Sequence, residues 1–147
     1  MRIFTGGASG KTYVLRVDRG DYLLESIENF IREEKIDNAA VISAIGTLDR
    51  CVLHMVTTTG FPPVEHFEKW EDKPLEISSI DGLIANGAPH LHMTVSDCAS
   101  AYAGHLERGC RILYLCEVVI AELDGFSFHR AKNADGIMEL TDGTHRR

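Results

Sequence analysis

This sequence predicts a single α+β domain: a mainly antiparallel β-sheet packed with one long helix and short helical segments. Two observations lead there. Helical periodicity is convincing in one stretch only, whereas several stretches alternate apolar and polar residues or run β-branched and apolar. The connections between the strand-like stretches are short and polar, which suits antiparallel neighbours. At 147 residues and 44% apolar content, the chain can build a core without disulfide or metal staples. We read residues 1–10 as an N-terminal segment, 11–130 as the domain, and 131–147 as a tail, irregular after His129.

The first strand runs from Lys11 to Val17 and ends at the turn Asp18-Arg19-Gly20. Leu23, Leu24, Ile27, Phe30 and Ile31 then recur at helical spacing from Tyr22 to about Lys35, with Asp21 placed to cap the start and Glu25 suiting the positive end of the helix dipole. Ala39 to Ile45 is almost continuously apolar and ends at Gly46, which predicts a central strand covered on both faces. Cys51 to Thr59, Val64 to Trp70, Pro74 to Ile80 and Leu83 to Ala85 follow as separate strands, punctuated by glycine and proline. A histidine-bearing strand and a final one from Ile112 to Leu123, bent near Cys116-Glu117, complete the sheet.

Composition narrows the function. Fifteen Lys and Arg against 22 Asp and Glu leave a formal charge of −7, which opposes broad attraction to a phosphate backbone. The small basic groups Arg130-Ala131-Lys132 and His145-Arg146-Arg147 read as solvated tail. No apolar run approaches a membrane span, and the first residues lack the apolar region of a secretory signal, so a cytoplasmic protein is expected. The four cysteines lack CxxC spacing and read as thiols, not zinc ligands. Walker, GxSxG and GxGxxG motifs are absent.

Chemistry concentrates in Pro89-His90-Leu91-His92-Met93-Thr94-Val95-Ser96-Asp97 and in His105, thirteen residues after His92. On a strand, His90 and His92 share one face, their Cα atoms about 6.6 Å apart, while Leu91, Met93 and Val95 form the apolar face. A turn through Asp97 to Ala101 can return His105 beside them. Three imidazoles with an open position describe a ligand-binding metal site, and neutral imidazoles suit zinc and related divalent ions better than magnesium or calcium. Glu76, a carboxylate on an otherwise apolar strand, is a candidate general base or ligand, and Arg16 a candidate fork for an anionic ligand. His54, His66, His129 and His145 read as core or surface filler.

Taken together, several segments resemble the PPC domain, the plant and prokaryote conserved family. They are Arg16 with Gly20-Asp21-Tyr22-Leu23, Ala40 with Ser43-Ala44-Ile45-Gly46, Leu75-Glu76-Ile77 with Gly82, Pro89-His90-Leu91-His92 through Asp97, Gly104-His105-Leu106, and Cys116-Glu117-Val118-Val119. The resemblance spans residues 11 to 130 and implies an α+β subunit assembled as a homotrimer. The family is also similar in fold to α-acetolactate decarboxylase, in which histidines in a comparable order hold zinc, and this implies His90, His92 and His105 as ligands here. Plant members resemble DNA-binding regulators whose DNA contacts are attributed to a separate Arg-Gly-Arg-Pro type AT-hook, and this chain has none. The expectation is therefore a stand-alone metal-binding protein, with a small-molecule or enzymatic site for a carboxylate or keto acid. The alternative is a DNA-binding or transcription-regulatory module acting through its oligomer.

Overall fold

Period-two alternation carries most of this chain into β-structure. The computed structural model describes residues 8–143. In chain order the elements are β1 (Ala8–Asp18), α1 (Leu23–Glu34), β2 (Asn38–Val56), β3 (Glu65–Ala85), β4 (Ala88–Ser96), β5 (Ala101–Leu106), β6 (Arg111–Asp124), β7 (Phe128–Lys132) and β8 (Met138–Asp142). One six-stranded sheet runs β1-β6-β2-β3-β4-β5, with every pairing antiparallel. The end of β2 also pairs with β5, at Leu53 with Leu106 and His54 with His105, so β2, β3, β4 and β5 close into a small barrel. Residues 1–7 and the basic end His145-Arg146-Arg147 lie outside the described residues.

The helix is short, not long. Its 12 residues are an ordinary length, because Lys35 turns into the left-handed conformation at φ 55° and its N–H closes on the Ile31 carbonyl. The expected short helical segments do not occur among the described residues. Asp21 does not cap α1. Tyr22 stands at the N-cap position without a side-chain cap bond, and the helix start is held instead by Leu23 N–H donating to the Cys110 carbonyl. Leu23, Leu24, Ile27 and Ile31 bury the inner face of α1 in the core, each worth about 1.5–3 kcal/mol relative to exposure.

Two strands are much longer than their sequence suggests. Gly46 does not end β2: a Cβ there would lie 2.5 Å from the Leu115 carbonyl oxygen, so this glycine admits β6 at close range. Pro74 and Gly82 likewise lie within β3: a register shift at Leu48/Arg50 absorbs Pro74, while Gly82 sits in continuous register opposite Leu91. β2 is central, between β6 and β3, but it is not covered on both faces, since Ile42 and Ile45 are more than half exposed. The tail after His129 is not irregular either. β7 and β8 form a hairpin around Asn133, whose side-chain oxygen accepts from the N–H groups of Asp135 and Ile137. Among the described residues no helix is long and apolar enough to cross a membrane.

Candidate metal centre

β4 alternates as its sequence requires: Leu91, Met93 and Val95 are buried in the core, and His90 and His92 face outward. The turn after Asp97 returns the chain as β5 and sets His105 directly opposite His92. On the other side of β5, His105 stands opposite His54 of β2. Three imidazoles thus cross three neighbouring strands in register, with His90 two residues along from His92.

The ring centroids of His90, His92 and His105 are 5.0, 5.5 and 5.6 Å apart. Metal–nitrogen bonds of about 2.0–2.1 Å, with roughly 1.1 Å from nitrogen to ring centre, place tetrahedral imidazole ligands about 5.2 Å apart, centroid to centroid. The three rings stand close to that spacing. Burial lowers the pKa of His90, helped by the charges of Arg130 and the neighbouring histidines. Burial also lowers that of His105, against the opposing pull of Glu107. Both effects favour the neutral imidazoles that bind metals.

His54 and Glu107 belong to this cluster and are absent from the set expected from sequence. One Glu107 oxygen lies 2.6 Å from His54 Nδ1 and 2.9 Å from His105 Nδ1. His54, His105 and Glu107 offer ligand atoms within 4.8 Å of one another, so this triad could also converge on an ion. The contacts favour hydrogen bonding, because donors around a tetrahedral ion stand about 3.3 Å apart. The carboxylate accepts both Nδ1–H groups, and each ring keeps its Nε2 lone pair. The nearest sequence signal was the position of His54 beside core-facing Leu53, which puts it on the outer face.

The histidines line a hollow of about 770 Å³ together with Met55, Glu65, Pro89, Arg130 and Met138, the last two supplied by the C-terminal hairpin. Glu65 lies 3.9 Å from His54 Nε2. The other expected site residues stand elsewhere. Glu76 lines a separate hollow of about 500 Å³ with Thr47, Lys73 and Tyr114. Arg16, largely exposed on β1, pairs with Asp18 at 2.8 Å. Cys51, Cys110 and Cys116 are buried free thiols, and Cys98 is an exposed one. Burial, with a contribution from Glu117, pushes the Cys116 thiol up to about 12, far from ligand chemistry.

The sequence profile of the Plants and Prokaryotes Conserved (PCC) domain matches residues 4–124. The chain belongs to that family. The PCC fold recurs in a metal-containing protein from Archaeoglobus fulgidus, 28% identical, with a TM-score of 0.80 over 96% of this chain and 99% of that one. It recurs also in a plant- and prokaryote-conserved (PPC) protein from Pyrococcus horikoshii, 23% identical, with a TM-score of 0.79 over 95% of this chain and 97% of that one. In sequence, 132 residues are 32% identical to the bifunctional protein GlmU of Synechococcus sp. (strain JA-2-3B'a(2-13)), covering 88% of this chain. This PCC chain spans 20% of the length of that relative.

Proposed function

We propose that this PCC-domain protein binds a divalent metal ion, zinc or a close relative, through His90, His92 and His105, and uses it to handle a small anionic molecule such as a carboxylate or keto acid. The near-tetrahedral spacing of the three rings carries the reading. The metal-containing Archaeoglobus relative supports it. An ion held there would polarise a carbonyl or carboxylate oxygen, or acidify water, at its open position. Glu107 is the carboxylate in contact with the site, a position that suits it to orient His105. Glu76 and Arg16 would join the chemistry only if a second subunit brought them to the hollow.

A homotrimer and a cytoplasmic location are part of this proposal. Exposed apolar residues on β1, β2 and β6 support self-association, and the free thiols suit a reducing compartment. The formal charge of −7 weighs against the DNA-binding alternative. Elemental analysis of freshly purified protein tests the core claim. About one transition metal per chain is expected, with most of it lost in His92→Ala. No metal, and no thermal stabilisation by added zinc, would refute it.

A further inference from the structure

The C-terminal hairpin lies beyond residue 124, where the family profile ends, yet it supplies a wall of the histidine hollow. From β7 it contributes Arg130. This guanidinium is half-buried, and among the described residues its Nε is enclosed by protein without a hydrogen-bond partner and forms no ion pair. Enclosed in this way, Nε is out of reach from the hollow, and an anion there would be met by the rest of the unpaired guanidinium, which lines it. The carboxylates on this side form no ion pair with it: Glu65, in the same hollow, lies 3.9 Å from His54 Nε2, and Glu107, outside the lining, is taken by two histidines. The remaining wall, from Met55, Val56, Pro89 and Met138, is apolar.

We propose that Arg130 is the residue that selects the ligand of this hollow, and that the ligand is a small organic carboxylate. Its carboxylate sits on the guanidinium, and its remaining oxygen faces the three imidazoles. The planar fork of arginine matches a carboxylate in two parallel hydrogen bonds, and the partly apolar surroundings strengthen that pairing relative to water. In an acidic protein an uncompensated cation is also a local reversal of sign, which concentrates anions where the long-range field repels them. This inference rests on the proposed metal site and adds the residue that selects its ligand, but Arg130 itself does not depend on the ion.

The test is calorimetric titration of the full chain with pyruvate, malonate and inorganic phosphate, each with and without equimolar zinc, on wild type, Arg130→Gln and Arg130→Lys. Wild type should bind at least one of the two carboxylates more tightly than phosphate. Arg130→Gln should weaken that binding about tenfold to a hundredfold, and Arg130→Lys should fall between, having charge without the fork. Zinc uptake should persist in both variants. Carboxylate binding equal in wild type and Arg130→Gln, or phosphate preferred over both acids, would overturn the proposal while leaving the metal site intact. Failure of wild type to take up zinc would sink the metal reading alone, and the zinc-free titrations would then decide the role of Arg130. Because Arg130→Lys keeps the charge and most of the side-chain bulk, a folding defect in Arg130→Gln would not remove the comparison.

Discussion

Glu107 and His105 are joined at 2.9 Å across the outer face of β5, and the same carboxylate oxygen takes His54 at 2.6 Å. A carboxylate behind a ligating imidazole fixes the tautomer and ring orientation and raises ligand basicity. Replacing Glu107 by Ala should therefore weaken zinc binding about tenfold to a hundredfold, the usual cost of losing such support. Glu107→Gln, which retains an acceptor oxygen, should recover part of the loss. Competition titration against a chromophoric chelator measures both, and unchanged affinity in Glu107→Ala would remove Glu107 from the site.

Gly82 controls the strand that carries the histidines. It sits at φ 145°, and a Cβ there would fall 2.1 Å from the His90 carbonyl oxygen, closer than any real contact. Gly82→Ala must push β4 away from β3 at the level of His90. We expect a loss of about 1–3 kcal/mol in denaturant unfolding together with weaker zinc binding. Full retention of both would mean that the strands part without cost at this position.

The period-two pattern made the histidine strand and its neighbours readable, because Leu91, Met93 and Val95 must turn inward if His90 and His92 turn out. Cross-strand register has no such local signature. His54 and Glu107 join the site only because β2 pairs with β5, a contact between residues about fifty positions apart in sequence. Gly46, Pro74 and Gly82 read locally as breaks, yet they are places where long strands bend or approach one another. The terminal hairpin was legible in principle, since Asp135-Gly136 separates two short β-forming runs. Its proximity to the hollow, and with it the role of Arg130, depends on tertiary packing alone.

Val14 on β1, Ile42 and Ile45 on β2, and Tyr114 and Leu115 on β6 leave an apolar surface across three adjacent strands. Large apolar side chains exposed on three neighbouring strands suit an interaction surface. If the homotrimer proposed above forms through it, light scattering should return about three times the 16.3 kDa chain mass. Ile45→Lys, which places a charge in the middle of the patch, should shift the mass toward one chain. A wild-type monomer at micromolar concentration would contradict the assembly.

Lys73 and Asp97 meet at 2.5 Å, and Asp97 also accepts from the N–H groups of Ala99 and Ser100 at the β4–β5 turn. Lys73 first, and those two N–H groups next, hold the Asp97 carboxyl well below the usual carboxylate range, while the same partnership raises the Lys73 ammonium. The sign follows from linkage. A depressed carboxylate stabilises the fold above its unfolded pKa, about 3.9, and loses that contribution as pH falls through the folded value. A raised lysine stabilises it below about 10.4 and loses that contribution as pH rises past the folded value. Asp97→Asn removes both, so its stability gap from wild type should be level from about pH 5 to about pH 10 and narrow on either side. Thermal unfolding of the two proteins across pH measures the gap, and one that stayed level into strong acid would show that the ion pair contributes nothing to folding.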